Sequence, residues 1–190
     1  MSRPAQITIL CEDLQTATFI RYFFMQRGWK GHDFRVLPLP GGTKSGEQYV
    51  REQFPRQIRA YRSRCNHISS IALVAAVDAD TLSISKRRQQ IESACSDSGI
   101  APPAKSERIL LVVPKRNIET WRVYLQGVTV NERDQYPKLR GRESECLTEA
   151  QRLHDMCLRN ELVPVPPPSL ETCCRDFERF WELIKPIAGR

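Results

Sequence analysis

The sequence has no long hydrophobic run. Its longest uninterrupted apolar stretch is the seven residues from Ile71 to Val77, whereas a helix that crosses a membrane needs about 18. The first residues also lack the charged and apolar regions of a secretory signal peptide. These absences predict a cytoplasmic protein that does not associate with a membrane.

The cysteines form no Cys-x-x-Cys pair. There are seven of them, an odd number, and they are scattered along the chain at positions 11, 65, 95, 146, 157, 173 and 174. A disulfide framework needs an even set and a zinc ribbon needs closely spaced pairs. We therefore expect reduced thiols inside a hydrophobic core.

The chain has fewer acidic residues than basic ones. The chain has 29 Lys plus Arg against 22 Asp plus Glu, which gives a net charge of +7. This excess favours a polyanionic partner such as nucleic acid, although a solvated basic surface explains it equally well. With 190 residues, of which 41% are apolar, the chain is predicted to form one domain with an extension.

Four short apolar runs alternate with longer amphipathic segments, which is typical of parallel βαβ units. The predicted strands are Gln6 to Cys11, Asp33 to Leu39, Ser70 to Val77 and Ile109 to Val113. The predicted helices between and after them are Leu14 to Arg27, Gly46 to Arg64, Ser85 to Ser98 and Asn117 to Leu125. The fold class predicted for residues 1–127 is thus α/β, a Rossmann-like central parallel sheet of about four strands flanked by helices.

Residues 128–190 are predicted to form a helical C-terminal extension. A helix from about Glu143 to Arg159 is followed by the proline-rich linker 163–168, which cannot be helical because stacked prolines lack amide donors. The last helix, Leu170 to Lys185, has an apolar stripe that we expect to dock on the domain rather than on a partner. The stripe contains Cys173, Cys174, Phe177, Trp181 and Ile184.

Acidic residues follow the predicted strands. Glu12 ends the first strand, Asp78 and Asp80 end the third, and Glu119 comes shortly after the fourth. Ligands of open parallel sheets collect at the carboxyl ends of the strands, and clustered carboxylates there suit a hard divalent cation, Mg²⁺ or Mn²⁺. The alternatives are a helix N-cap for Glu12 or Asp13 and a first-turn acid that complements a helix dipole for Glu119.

The order of these motifs resembles the toprim domain, which topoisomerases, primases and the OLD-type nucleases share. The strand that ends in Glu12, the Asp78-x-Asp80 pair and the Pro114 to Trp121 stretch carry the resemblance. That last stretch is similar to a segment of compact bacterial toprim-like proteins of the RloB kind, many of them associated with phage-defence or mobile-element loci. The resemblance spans roughly residues 6–125.

This resemblance implies a role for each matching residue. Glu12 would be the toprim glutamate, which acts as general acid/base or metal ligand, and Asp78 and Asp80 would be the metal-binding pair. Glu119 would be an additional acidic residue of the catalytic site, and Lys115 would be a cation that binds phosphate or stabilises the transition state. One departure from the family pattern is Asp13, which stands where a glycine usually follows the glutamate.

Nuclease chemistry needs a hard cation on the nonbridging oxygens and a positive group near the leaving oxygen. Basic residues near the acidic edge are therefore candidate phosphate contacts, although ordinary solvation explains each cluster as well. The candidates are Lys44, Lys86, Arg87, Arg88, Arg116, Lys138, Arg140 and Arg142. Lys44 lies in a glycine-rich loop that fails the Walker A pattern because the lysine precedes the distal Gly46.

We therefore expect a metal-dependent nuclease acting on DNA or RNA, with a separately encoded ATPase as a candidate partner and homo-oligomers left open. The main alternative is a catalytically silent toprim-like subunit that binds nucleic acid or a partner protein. A haloacid-dehalogenase-like phosphatase is a further alternative, because Asp78 to Leu82 resembles the nucleophile motif of that family. Only one convincing strand follows that motif, which argues against it.

Overall fold

The central element is a four-stranded parallel sheet with the strand order β2-β1-β3-β4. The computed structural model describes residues 5–41, 45–65 and 71–188. The strands are β1 (Gln6–Leu10), β2 (Phe34–Val36), β3 (Ile71–Ala76) and β4 (Ile109–Val112). The helices are α1 (Leu14–Met25), α2 (Gly46–Cys65), α3 (Ile84–Asp97), α4 (Ile118–Leu125), α5 (Leu147–Arg159) and α6 (Pro168–Ala188). The predicted fold class is confirmed.

Both faces of the sheet are covered, because successive side chains of a strand point to opposite sides. On β3, Ala72, Val74 and Ala76 pack into a core with residues of α1, α4, α5 and α6. Ile71, Leu73 and Ala75 pack instead with residues of α2 and α3. All six residues of the strand are buried, which explains why its sequence is a continuous apolar run.

The C-terminal helices belong to the first of these two cores. Phe177, Phe180 and Ile184 of α6 are buried, and the Phe180 ring contacts Phe24 of α1 edge to face at a centroid distance of 6.1 Å. The start of α6 is anchored by Trp121, whose Nε1 donates to Ser169 Oγ at 2.8 Å. The predicted docking of the last helix on the domain is confirmed. Within the described ranges, neither α6 nor another helix is long and apolar enough to span a membrane.

Arg88 joins α3 to α6 and does not face the acidic edge. Its guanidinium donates to the backbone oxygen of Leu111 at 3.0 Å and to Asp176 Oδ2 at 2.5 Å. The Arg88 and Asp176 side chains are only 24% and 28% exposed. The basic cluster in the sequence predicts a nucleic-acid contact for Arg88, but its position on α3 directs the side chain towards β4.

We expect Arg88→Ala to lower the free energy of unfolding by about 1 to 2 kcal/mol, because it removes a charge-assisted hydrogen bond in a partly buried place. Urea denaturation of Arg88→Ala, Asp176→Ala and the double variant should give a coupling energy of about 1 kcal/mol. Additive effects of the two substitutions would show that the pair does not hold α6.

Candidate active site at the carboxyl edge of the sheet

Glu12 and Asp78 lie side by side at the carboxyl edge. They follow the neighbouring strands β1 and β3, and the backbone N–H of Asp78 donates to Glu12 Oε1 at 2.7 Å. Both residues are half-buried. The sequence prediction that these two carboxylates meet at one edge is therefore confirmed.

Asp80 lies in a tight turn just beyond Asp78. Its φ of +53° is in the left-handed region, which aspartate and asparagine adopt more readily than most residues. The turn is held by the Ala79 N–H, which donates to Pro114 O at 2.8 Å. The Asp80 side chain is 55% exposed, so it is the solvent-facing member of the predicted pair.

Lys115 holds this turn in place. Its ammonium group donates to the backbone oxygens of Asp80, at 2.8 Å, and of Leu82, at 2.6 Å. Lys115 lies at the acidic edge, as the sequence indicates. Its two hydrogen bonds, however, are made to backbone oxygens of the protein, whereas the sequence predicts a contact with phosphate. In this structure Lys115 positions the Asp80 turn.

Burial and like charge raise the pKa values of the paired carboxyl groups. Desolvation is the main cause for Glu12, with Asp80 and Asp13 adding repulsion, and the pKa rises from 4.5 to about 7. Desolvation also raises the pKa of Asp78 well above its ordinary value, and the nearby Glu12 carboxylate is the next largest cause. A cation bound between these groups would relieve both effects.

Arg87 is the buried counter-charge of this edge. Its side chain is only 7% exposed and lies 3.0 Å from Glu47 Oε1 and 3.5 Å from Asp80 Oδ2. It also donates to Gln90 Oε1 at 2.9 Å. The sequence predicts a nucleic-acid contact for Arg87, but this guanidinium is turned inwards and stabilises the carboxylates on α2 and in the turn.

Asp13 caps α1 and binds Lys138. Its Oδ1 accepts from the Thr16 N–H at 2.8 Å, and its Oδ2 lies 2.9 Å from Lys138 Nζ. Burial opposes ionisation, but these two partners lower the pKa of Asp13. The N-cap interpretation therefore holds for Asp13, and Lys138 is brought to the acidic edge from 125 residues away in sequence.

Glu119 is fully buried in the first turn of α4. Neither carboxylate oxygen has a hydrogen-bond partner within the described residues. Desolvation raises the pKa of Glu119, while the Lys138 charge opposes that rise and Asp13 reinforces it. Glu119 thus occupies the first turn of α4, the position of an acid that complements the helix dipole, but it is buried inside the protein.

The remaining basic candidates differ in how accessible they are. Lys86 on α3 and Arg140 are exposed, and Arg116 is half-buried. Arg142 is exposed and lies 3.4 Å from Glu145 Oε2. Lys44 lies outside the described residues. Lys86, Arg116, Arg140 and Arg142 are the candidates that remain turned towards solvent at least in part.

Sequence reasoning missed the role of Gly46. A Cβ at this position would lie 2.7 Å from both Cβ and Oε2 of Glu12, so the first residue of α2 must be glycine for Glu12 to keep its position. In the sequence, such a position is visible only as a glycine at the start of a helix near the edge. Ordinary loops show the same pattern. The close approach only becomes visible in three dimensions.

We expect Gly46→Ala to displace Glu12 and to reduce any activity that depends on it by about tenfold, an effect typical of disturbed positioning. The midpoint of urea unfolding should fall as well, because the methyl group meets the Glu12 Cβ, which is bonded directly to the backbone. Circular dichroism should first establish that the variant is folded. A matched control is Gly41→Ala, since a Cβ at Gly41 meets no atom within 4 Å. Equal activity of the two variants would contradict the inferred role.

The carboxylates fit a metal ion only as a partial site. Within the described parts of the chain, no three His, Cys, Asp or Glu side chains are placed to hold an ion. Mg²⁺, however, is often held by one or two carboxylates together with substrate phosphates. Glu12 and Asp78 supply that many oxygen donors, and burial together with neighbouring like charge raises the pKa values of both.

Comparison of the chain with protein-family models, curated proteins and solved structures gives no match. The toprim resemblance therefore remains an expectation from the sequence motifs.

Proposed function

We propose that this protein is a divalent-cation-dependent nuclease of toprim type that hydrolyses phosphodiester bonds in DNA or RNA. The observation that carries the proposal is the Glu12–Asp78 pair, two half-buried carboxyl groups with raised pKa values at the carboxyl edge of a parallel sheet. Such a pair is costly in a folded protein unless a cation or a reaction uses it.

Glu12 and Asp78 are the residues that would hold Mg²⁺ or Mn²⁺. Glu12 Oε1 is committed to the Asp78 N–H, which leaves Oε2, the oxygen that faces Gly46. When bound, such a cation neutralises the phosphate oxygens and lowers the pKa of an attacking water. Asp80, exposed and adjacent, is available to accept a proton or to complete the ligand set with substrate.

The charges around the edge support nucleic acid as the substrate. Lys86 and Arg140 are exposed and Arg116 is half-buried, and the whole chain carries a net charge of +7. Arginine and lysine contacts to phosphates bind without regard to sequence and weaken as salt rises. We therefore infer salt-dependent binding with little sequence preference.

The test is cleavage of plasmid DNA, single-stranded DNA and structured RNA by the purified chain with Mg²⁺ or Mn²⁺. The comparison protein is Asp78→Asn/Asp80→Asn, prepared identically, since asparagine tolerates the left-handed φ of residue 80. We expect cleavage that requires the cation and is lost in the double variant. Equal cleavage by both proteins would overturn the proposal.

A catalytically silent toprim-like subunit is the second candidate. Two observations favour it. No three ligands converge among the described residues, and Lys115 is used to hold backbone oxygens. A silent subunit would bind nucleic acid, or an ATPase encoded separately, without cutting. Binding of nucleic acid with no cleavage of any substrate would favour it, and a role in phage defence would then rest on the sequence resemblance alone.

A further inference from the structure

Two thiols meet between α5 and α6. The Sγ atoms of Cys157 and Cys174 lie 3.5 Å apart, at hydrogen-bond distance for sulfur, and either thiol can be the donor. Both cysteines are free, and Cys157 is half-buried whereas Cys174 is buried. They belong to the two helices that the segment 160–167 connects. The contact therefore places a partly accessible thiol next to a second thiol of another helix.

The two sulfurs are close enough to bond after a small movement. A disulfide has an S–S length of about 2.05 Å, so the Sγ atoms must approach by about 1.5 Å, which rotation of the side chains achieves. Both cysteines line an apolar cavity of about 40 Å³, together with Phe23 and Phe177 among others. This cavity gives the sulfurs room to move without repacking of the core.

Arg27, which follows α1, provides a positive charge for one of these thiols. Its guanidinium lies over the ring of Trp181, 4.2 Å from the centroid, and over Phe177 at 4.9 Å. Its buried Nε has no hydrogen-bond partner among the described residues. Cys157 is the ionisable group whose charge interacts with this guanidinium. Arg27 is therefore placed to stabilise a thiolate at Cys157.

The surroundings make the two thiols unequal. The hydrogen bond with Cys174 lowers the pKa of Cys157, and so does the Arg27 charge, while burial and the Glu178 carboxylate oppose this change. The same hydrogen bond and burial raise the pKa of Cys174. A thiolate is the reactive form of cysteine, and oxidant-sensing cysteines have a low pKa and a second cysteine nearby that resolves the first product. Cys157 fits the first role and Cys174 the second.

We propose that Cys157 and Cys174 form a peroxide-sensitive dithiol, in which Cys157 is oxidised first and Cys174 then closes a reversible disulfide between α5 and α6. The oxidant is hydrogen peroxide. This site is separate from the acidic edge, and the inference does not depend on the proposed nuclease activity.

Each step of the oxidation balances. The Cys157 thiolate attacks one oxygen of hydrogen peroxide; an S–O bond forms, the O–O bond breaks and hydroxide leaves. Cys174 then attacks the sulfur of the Cys157 sulfenic acid, so that the S–S bond forms and the S–O bond breaks. The departing hydroxide takes the Cys174 proton and becomes water. The peroxide has gained the two electrons that the sulfurs have lost, and a dithiol reductant restores both thiols by exchange.

The test is peptide mass spectrometry of the full chain without reduction, after treatment of the reduced protein with hydrogen peroxide. Remaining thiols are alkylated in denaturant before digestion. We expect a cross-link between the peptides of Cys157 and Cys174 that disappears with dithiothreitol. Cys173→Ser should give the same cross-link, which distinguishes Cys174 from its neighbour in the same cavity. Cys95, a buried thiol of α3, should remain fully alkylated and is the internal reference.

Arg27→Gln should slow formation of the cross-link about threefold to tenfold at pH 7, because the Cys157 thiolate loses its counter-charge. The rate is measured by quenching with the alkylating reagent at successive times. The matched control is Arg21→Gln, which removes a guanidinium of α1 that lies over the Phe34 ring instead, and its rate should equal that of the wild type. Equal rates in all three proteins would contradict the role of Arg27.

The disulfide should also stabilise the fold. It joins residues 17 positions apart, so it restricts the unfolded chain and should raise the melting temperature by about 6 to 12 °C. Dithiothreitol should reverse the rise, and Cys157→Ser should not show it. An oxidised protein that melts at a lower temperature would overturn the proposal, because the bond would then not fit the folded helices.

The wild-type chain alone decides the proposal, so a variant that fails to fold does not weaken the test. Peroxide treatment that leaves Cys157 a thiol, or that joins it to a cysteine other than Cys174, would overturn it. Oxidation of Cys157 only to the sulfinic or sulfonic acid would do the same, since Cys174 would then not reach the sulfenic acid in time. Cleavage of nucleic acid by the reduced chain is a separate measurement, so none of these results bears on the nuclease.

Discussion

Glu12→Gln should make the protein more stable at pH 8, by on the order of 2 to 3 kcal/mol in the free energy of unfolding. Glu12 has a folded-state pKa of about 7, raised from 4.5 chiefly by burial. Its favourable contribution is therefore complete below about pH 4.5 and is lost as the pH rises through 7. Glutamine cannot ionise, yet its Oε1 can still accept from the Asp78 N–H.

The difference between the two proteins should therefore depend on pH in a defined direction. Urea denaturation in EDTA should give nearly equal stabilities near pH 4.5 and a growing advantage for Glu12→Gln between pH 5 and 8. A control is Glu178→Gln, which removes the same charge at an exposed position in the middle of α6 and should not produce this trend. A Glu12→Gln protein that is less stable than the wild type at pH 8 would contradict the account of a strained acidic pair.

Asp78→Asn should reduce the cleavage rate at least about 100-fold, which corresponds to about 2.7 kcal/mol of transition-state stabilisation. The Asp78 carboxyl is half-buried beside Glu12, and an amide has no charge with which to hold a divalent cation. Asp80→Asn should cost less, about tenfold, because Asp80 is exposed and already paired with Arg87. The rates should be compared in single-turnover cleavage of the same labelled oligonucleotide at saturating Mg²⁺ or Mn²⁺.

That ranking is specific to this structure, since the two aspartates are equivalent in the sequence motif. An equal loss in both variants would indicate that Asp80 turns inwards when substrate binds. A larger loss in Asp80→Asn than in Asp78→Asn would contradict the assignment of Asp78 as the main ligand.

The sheet and its acidic edge are predictable from the sequence because strands covered on both faces are apolar throughout, as β3 is. The residues that directly follow such strands must lie at the carboxyl edge, so Glu12 and Asp78 follow from chain order. The docking of α6 on the domain is also predictable from the sequence, because the apolar residues of this helix recur at helical spacing. The strand β2 was overextended in the prediction, since only Phe34–Val36 pairs with β1.

The orientation of the basic side chains was not predictable. Lys86, Arg87 and Arg88 are consecutive, but successive side chains of a helix point about 100° apart. Lys86 is therefore exposed, Arg87 is buried against Glu47, and Arg88 binds Asp176. The local sequence pattern does not predict which face of α3 packs against α2 or α6.

Contacts between distant segments were equally hidden. Lys138 reaches Asp13 across 125 residues, and no local pattern specifies where the segment around Leu139 folds back. The close approach of Gly46 to Glu12 has the same origin. These features follow from tertiary packing, which places residues side by side without a signal in either segment.

The most direct test of the central claim is electron paramagnetic resonance of Mn²⁺ titrated into the protein at pH 8, with a nucleoside monophosphate present to supply phosphate oxygens. The account predicts that the wild-type chain removes free Mn²⁺ from solution and that Asp78→Asn, folded by circular dichroism, does not. Equal Mn²⁺ binding by both proteins, or no binding by a wild-type chain that still cleaves nucleic acid, would contradict it.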